Sequence, residues 1–271
     1  MSNLRPVQVA VDGSPGGWTA LAWGARVAEG GGAPLEVLYA VPRDLLAAVT
    51  GAGQPAPTED QVTEEALARV AKMTPDLAVT ARLLRGSPQN VLPAESRAAA
   101  LLVLGSRGVT GLRGWWVGSV SRAVAEHALC PVVVCKTVED IDEVEGSPMP
   151  EGDVVVVVDP GVPALGVVDL AYRAALMTAS AVRVIAEPAD AADLQELLER
   201  QQARFPEIPV KVRAAAGAPE AELVEASKQA GLVVVGRPTE PSLLGNTRMG
   251  VAAHVLEKAQ CPVAVVPVGR H

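Results

Sequence analysis

The sequence contains two copies of one pattern, and this repetition limits the possible folds more than any other feature. VQVAVDGSPGG matches VVVVVDPGVPA, so Asp12 corresponds to Asp159. HALCPVVVC matches KAQCPVAVV, so Cys130 corresponds to Cys261. The number of residues that separates a position in the first copy from its match in the second is smaller near the end of the copies than near their start. The second copy is therefore the shorter one, and the difference lies between its second and third strands. A repeat of this length predicts two domains of the same architecture.

The junction between the two copies is strongly acidic. After PVVVCK the chain reads TVEDIDEVEGSPMPEGD, with five acidic residues between Glu139 and Glu145. Acidic residues followed by Gly, Ser and Pro are typical of a solvated linker. We therefore predict a first domain over residues 1–138, an acidic linker over 139–152 and a second domain over 153–271.

Within each copy, short aliphatic runs alternate with amphipathic stretches of helical period. Strands in the first copy are predicted near 6–12, 34–41, 78–85, 101–105 and 131–136, and helices near 15–30, 60–74, 87–99 and 119–128. Nearly continuous apolar strands separated by helices predict an α/β fold with a mostly parallel sheet covered on both faces. Ligands of such sheets bind beyond the carboxyl ends of the strands, where the strand order reverses. The DGS that follows the first strand and the GSRG that follows the fourth are expected to meet there.

The composition argues against several classes of function. A net charge of −8 does not suit a general nucleic-acid surface, which needs Lys and Arg at the phosphates. The cysteines, Cys130, Cys135 and Cys261, are too few for a disulfide framework or a zinc site, and we interpret them as reduced core residues. No apolar stretch approaches the roughly 20 residues that span a bilayer, and the first residues do not resemble a signal peptide. We expect a cytoplasmic protein without a membrane partner.

The stretch GSRGVTGLRGWWVGSVS, which follows the fourth predicted strand, carries the clearest functional signal. Main-chain N–H groups of such a loop, with the positive end of the next helix, can bind an anion without net positive charge. Gly105 and Gly108 would let the backbone approach a phosphate, and Gly118 would open the helix. Ser119 and Ser121 would add hydroxyl donors. In the alternative interpretation the stretch is a long turn, and Ser119 only caps the helix.

Other known chemistries lack their sequence patterns. Neither G-x-x-x-x-G-K-[ST] nor a G-x-G-x-x-G after the first strand occurs, so P-loop and dinucleotide chemistry are not expected. His127, His254 and His271 are far apart and have no carboxylate at ligand spacing. We predict neither catalytic residues nor a metal site.

The glycine-rich stretch resembles the signature of ATP-binding universal stress proteins, G-x-x-G, nine residues, then G-S/T, and VAVDGS and LYAVP resemble that family's other landmarks. The likeness covers nearly the whole chain as two tandem modules. It implies two flavodoxin-like domains of the adenine nucleotide alpha hydrolase-like type, each with a mostly parallel five-stranded sheet. It also implies ATP, with or without Mg²⁺, as the ligand of the first domain. The implied contact residues are Val11, Asp12, Ala40, Leu104, Gly105, Gly108, Gly118, Ser119, Val120 and Ser121.

Two features weaken or limit this resemblance. Asp12 has an alternative interpretation as a turn or cap residue before the helix that starts at Ser14 and Pro15. In the second copy the signature is largely lost, and only Gly236 remains. Gly108 corresponds there to Thr239, Gly118 to Met249 and Ser119 to Gly250. We therefore predict that the second domain binds ATP weakly or not at all.

The resemblance implies a stress-response or signalling protein that binds ATP with little turnover, because no general base can be named. One alternative is an adenylylating or ATP-hydrolysing enzyme of a related nucleotide-binding superfamily, and another is an interaction scaffold without nucleotide. The last strands, PVVVCK and PVAVVP, imply strand pairing, either as a pseudo-dimer within one chain or in a homodimer. The sequence does not predict the signalling partner.

Overall fold

The structure, a computed structural model, describes residues 4–42, 59–106, 117–136, 151–158, 165–186, 191–239 and 250–269, without the side chains at 59, 60, 191 and 192. Gly108, Asp159 and Met249, which the sequence pattern singles out, lie outside these residues. The chain divides into two compact units, Met1–Pro148 and Met149–His271. Each unit is an α/β domain, and the two are described separately.

The first unit has a parallel sheet in the order β3-β2-β1-β4-β5. Its described strands are β1 (Val7–Val11), β2 (Leu35–Val41), β3 (Val79–Arg85), β4 (Leu101–Gly105) and β5 (Val132–Cys135). Its described helices are α1 (Pro15–Gly31), α2 (Glu59–Met73), α3 (Pro88–Glu95) and α4 (Ser119–His127), and a 3₁₀ turn, Ser96–Ala98, follows α3. The predicted α/β fold is confirmed, although the helix expected over 87–99 ends in this 3₁₀ turn.

The strand interiors explain why the sheet forms. Val9 in β1 pairs with Val37 in β2 and with Val103 in β4, and all three valines are fully buried. β-branched side chains suit a pleated surface that is covered on both faces. Helix α1 covers one face at very short range, because a Cβ atom on Gly24 would lie 2.2 Å from Val9 Cγ2.

The second unit repeats this topology, with a parallel sheet in the order β10-β9-β6-β7-β8. Its described strands are β6 (Asp153–Val158), β7 (Val182–Ala186), β8 (Val210–Ala214), β9 (Ala230–Pro238) and β10 (Val263–Val268). Its described helices are α5 (Leu165–Thr178), α6 (Ala191–Arg204), α7 (Pro219–Ala226) and α8 (Gly250–Lys258). The sequence repeat is thus a repeat of the same strand order.

A buried serine makes the same hydrogen bonds in both units. Ser96 Oγ donates to Pro93 O at 2.6 Å and accepts from Leu129 N–H at 2.8 Å. In the second unit, Ser227 Oγ donates to Val224 O at 2.6 Å and accepts from Gln260 N–H at 2.9 Å. These residues correspond under the same alignment that matches HALCPVVVC to KAQCPVAVV. The alignment of the two copies therefore holds at the level of individual hydrogen bonds.

The described residues also bear on the expectations about cysteines, metals and membranes. Cys130, Cys135 and Cys261 are buried thiols, in agreement with their interpretation as reduced core residues. Among the described residues no group of three His, Cys, Asp or Glu side chains could hold a metal ion. The helices found in those residues are too short or too polar to cross a membrane.

Candidate functional site

A cavity of about 350 Å³ opens at the carboxyl ends of β1, β2 and β4 in the first unit. β1 lies between β2 and β4, so the chain leaves it toward one edge of the sheet and later returns on its other side. This is the point of strand-order reversal at which ligands bind in open α/β sheets. The described residues that line the cavity are Ala10, Val11, Asp12, Ser14, Gly17, Tyr39, Ala40, Val41, Pro42, Pro88, Leu92, Leu104, Gly105, Ser106, Gly118, Val120 and Ser121.

The structure brings together most of the residues predicted from sequence. Eight of them line this cavity: Val11, Asp12, Ala40, Leu104, Gly105, Gly118, Val120 and Ser121. Ser119 does not line it, although both of its neighbours do, and its exposed side chain lies at the rim. Gly108 is outside the described residues.

The turn between β1 and α1 forms the first polar wall. Gly13 has a φ of +78°, a left-handed conformation that favours glycine. Asp12 Oδ1 accepts hydrogen bonds from Ser14 N–H at 3.1 Å and from Ser14 Oγ–H at 2.5 Å. Ser14 is the N-cap of α1, and its Oγ accepts from Gly17 N–H at 3.1 Å. Asp12 therefore supports the turn, as in its alternative interpretation, and it also lines the cavity.

Asp12 keeps one carboxylate oxygen for other partners. Its hydrogen bonds within the described residues all go to Oδ1. The start of α1 comes close to the same oxygen, since a Cβ atom on Gly17 would lie 2.9 Å from Asp12 Oδ1 and 3.2 Å from Asp12 N. A side chain at position 17 would therefore crowd this turn. Asp12 is exposed, and its Oδ2 remains available to a ligand or to a cation that accompanies it.

Gly105 has a packing role that was not predicted from the sequence. A Cβ atom at this position would lie 2.1 Å from Gly16 O and 2.3 Å from Gly16 C, so no side chain fits between β4 and the start of α1. The sequence pattern predicts that this glycine admits a phosphate. Gly105 does line the cavity, but the contact that requires glycine is with the backbone of α1.

Helix α4 begins at the cavity without a side-chain cap. Gly118 is its N-cap residue, with φ −63° and ψ 155°, and Ser119 is the first helical residue. The first backbone bond of the helix runs from Arg122 N–H to Gly118 O at 3.0 Å. The interpretation of Ser119 as the cap is therefore wrong. The first N–H groups of a helix carry partial positive charge, and a helix that starts on glycine leaves them accessible to an anion.

Ser121 ties the start of α4 to the end of β4. Its hydroxyl donates to Gly105 O at 2.9 Å, and the residue is 4% exposed. The sequence pattern predicts this hydroxyl to be a ligand donor. Its proton is instead used inside the protein, so Ser121 fixes the distance between the two ends of the glycine-rich loop.

The opposite wall of the cavity is apolar. Tyr39, Ala40 and Val41 end β2, and Pro42 follows them. Leu92 of α3, which is 2% exposed, and Leu104 of β4 add further apolar surface to the cavity lining. A cavity with one apolar wall and one wall of main-chain donors suits a ligand that has a flat apolar part and an anionic part.

Several lining residues were not predicted from the sequence. Ser14 and Gly17 follow Asp12 within the next five positions, so their place after the first strand could have indicated them. Pro88 and Leu92 come from α3, which follows an edge strand, and no sequence signal connects them to the glycine-rich loop. Ser106 directly follows Gly105 and could have been inferred from that position.

The corresponding region of the second unit is built differently. β9 continues two residues beyond Gly236 and pairs with β10 as far as Pro238 and Val268. Thr239 N–H then donates to Val268 O at 2.9 Å, which holds the backbone in line with the strand. Arg237, only 3% exposed, takes the place of the cavity residue Ser106. A strand and a long buried side chain therefore replace the open strand end of the first unit.

The strand order and the position of the cavity define a flavodoxin-like α/β protein with a ligand site at the point of strand-order reversal. A family model for the Universal stress protein family matches residues 3–136 and again 154–267. Universal stress protein Rv2005c of Mycobacterium tuberculosis is 30% identical over 290 aligned positions, which cover 96% of this chain and 96% of that protein. The chain therefore belongs to the universal stress protein family.

Solved structures support the fold independently. A universal stress protein of Archaeoglobus fulgidus superposes with a TM-score of 0.68 at 18% identity, over 97% of this chain and 98% of its own. The protein PA1789 of Pseudomonas aeruginosa superposes with a TM-score of 0.69 at 17% identity, over 98% of this chain and 93% of its own. At such identities the similarity extends to the fold alone.

Proposed function

We propose that the first unit binds ATP and that the protein acts as a nucleotide-dependent stress-response or signalling protein. The observation that carries this proposal is the start of α4 at Gly118, without a side-chain cap, on the wall of a cavity whose other wall is apolar. In this proposal the adenine ring lies against the apolar residues that end β2, and the phosphates lie near the first N–H groups of α4. This arrangement holds an anion locally on a chain of net charge −8.

Mg²⁺ fits this proposal only as a companion of the phosphates. Asp12 is the one carboxylate that lines the cavity in the described part of the chain, and its Oδ2 is the available ligand atom. Mg²⁺ is commonly held by one or two carboxylates together with phosphate oxygens and water. We therefore propose that the nucleotide supplies most of the ligands of the ion.

We also propose that turnover is slow. Catalysis of hydrolysis would need a base that can take a proton from water. Asp12 is the cavity's only described carboxylate, and the hydrogen bonds from Ser14 hold it in the turn before α1. Inorganic phosphate or pyrophosphate released at a rate of about 1 per second or faster would instead support the enzyme alternatives, since this is the usual lower range for enzymes.

The test is nucleotide extraction and titration with a Gly118 variant. Gly118 has an ordinary extended backbone, so Gly118→Val is compatible with its φ and ψ. The valine side chain would stand among the first N–H groups of α4, and we expect ATP affinity to fall at least tenfold, about 1.4 kcal/mol. Gly31→Val is the control, because nothing lies within 4 Å of its Cβ position. If the wild type neither retains nor binds ATP, or if Gly118→Val binds it equally well, the proposal fails.

A further inference from the structure

The rim of the cavity contains a short chain of side-chain hydrogen bonds that the glycine-rich signature does not include. Ser87 Oγ–H donates to Gln89 Oε1, and Gln89 Nε2–H donates to Ser119 Oγ at 3.5 Å. These bonds connect the start of α3 to the start of α4. Gln89 is half-buried and lies one residue after Pro88, which lines the cavity.

The direction of these hydrogen bonds determines what Ser119 can do. Because Gln89 Oε1 accepts from Ser87, the other end of the amide is the NH₂ group, which is a donor only. Ser119 Oγ therefore acts as the acceptor of this bond, and its own hydroxyl proton remains for another partner. Ser119 is the first residue of α4, where the helix dipole favours an anion.

The second unit shows the two side chains changing together. At the corresponding positions of the second copy, Gln89 is replaced by Glu220 and Ser119 by Gly250. A glutamate carboxylate has no hydrogen to donate, and glycine has no hydroxyl to be oriented. The copy that has lost the hydroxyl has thus also lost the amide, and it carries a negative charge where the first unit has a neutral donor.

We propose that Gln89 is a positioning residue that makes the first unit select phosphorylated over unphosphorylated nucleosides. Gln89 holds Ser119 so that the Ser119 hydroxyl proton points to the phosphates where they extend beyond the rim of the cavity. This inference rests on the proposed function of the site. Gln89 does not line the cavity, and its effect is transmitted through Ser119.

The experiment compares the dissociation constants of ATP and adenosine by calorimetry for the full-length wild type and for Gln89→Ala. We expect ATP affinity to fall about threefold to tenfold, the value of one hydrogen bond, while adenosine affinity stays within a factor of two. Asn90→Ala is the matched control, since Asn90 is an exposed amide in the same helical turn and should change neither constant. Gln89→Glu, which reproduces the second unit, should weaken ATP binding further than Gln89→Ala does.

A double-mutant comparison separates positioning from a general structural effect. In a Ser119→Ala background, Gln89→Ala should leave ATP affinity unchanged, because the hydroxyl that it orients is absent. A full additional loss in that background, or an equal loss of ATP and adenosine affinity in Gln89→Ala, would overturn the inference. Unchanged ATP binding by Gln89→Ala, with normal binding by the wild type, would overturn the inference alone. A wild type that binds no ATP would overturn the proposed function as well.

Discussion

At the scale of single residues, the glycines of the ATP signature have different physical tasks. Gly105 is fixed by its contact with Gly16, where a side chain would overlap main-chain atoms. Gly118 has no such conformational need, since its φ and ψ are open to any residue, and we propose that its role is to start α4 without a side-chain cap. Ser121, expected as a ligand, is instead used to bind the carbonyl of Gly105. The signature therefore contains a packing requirement beside the binding roles that we propose.

Gly105→Ala tests the packing role. A methyl group 2.1 Å from Gly16 O must push α1 away from β4, and overpacking of this kind costs about 1 to 3 kcal/mol. We expect chemical denaturation to show this loss in the free energy of unfolding, even without nucleotide. Gly31→Ala, at an unobstructed helical position, should instead be neutral or stabilising by up to about 1 kcal/mol. Equal stability of the Gly105 variant and the wild type would contradict the packing role.

At the scale of elements, the residues that join strands to helices differ most between the two units. In the second unit, Glu222 of α7 accepts hydrogen bonds from the N–H groups of Ala216 and Gly217, and its Oε2 lies 2.6 Å from Arg213. Val91 of α3 is the corresponding residue in the first unit. A carboxylate of the protein itself thus satisfies main-chain donors before α7.

Glu222→Gln should change how stability depends on pH. Burial disfavours the charged carboxylate, but the N–H groups of Ala216 and Gly217 together with Arg213 outweigh it and lower the pKa of Glu222. A group whose pKa is lower in the folded state stabilises the protein above its unfolded pKa, and this stabilisation disappears as the pH falls through the folded pKa. The wild type should therefore exceed the variant most in free energy of unfolding above about pH 5, and the two should converge as the pH falls through the lowered pKa of Glu222.

Denaturant titrations across that pH range provide the measurement, and Glu225→Gln provides the control. Glu225 is on the same helix, is 73% exposed and forms an ion pair with Lys228. Exposed pairs of this kind contribute about 0 to 1 kcal/mol. A difference between the wild type and Glu222→Gln that does not vary with pH would show that the ionised carboxylate is not what stabilises this turn.

The elements were predictable from sequence because buried parallel strands are nearly continuous apolar runs, and the observed strand ends lie within a few residues of the expected ones. The location of the site was also predictable, because the topology places the ends of the first and fourth strands together. The role of Gly105 was not, since it depends on Gly16 standing opposite in space. The hydrogen bond from Gln89 to Ser119 was not predictable either, because the two residues are 30 positions apart in sequence, with a strand between them.

At the scale of the whole molecule, the two units share a scaffold and differ at the carboxyl ends of their strands. The strand order and the bonds of Ser96 and Ser227 are the same in both. The strand after α7 is longer in the second unit, and the buried Arg237 replaces Ser106. We therefore expect a nucleotide to stabilise the first unit specifically.

Thiol labelling tests this expectation, because Cys130 and Cys135 are buried in the first unit and Cys261 is buried in the second. Burial raises the pKa of Cys130 to about 12, and it also raises the pKa of Cys135. Since the thiolate is the reactive form, neither should react with an alkylating reagent at about pH 8 until the unit opens. ATP at about 100 times its dissociation constant should reduce labelling of both about a hundredfold. Rapid labelling of the native protein, or protection by ATP confined to Cys261, would contradict this expectation.

The contact between Gly105 and Gly16 also bears on how diverged relatives should be judged. Gly236, the counterpart of Gly105, survives in a copy where the counterparts of Gly108 and Gly118 have been substituted. Because packing against Gly16 requires glycine at position 105, we expect a glycine at this position in relatives whether or not they bind a nucleotide. If the proposed function holds, the glycine that precedes α4 is the better marker for separating relatives that bind a nucleotide from those that do not.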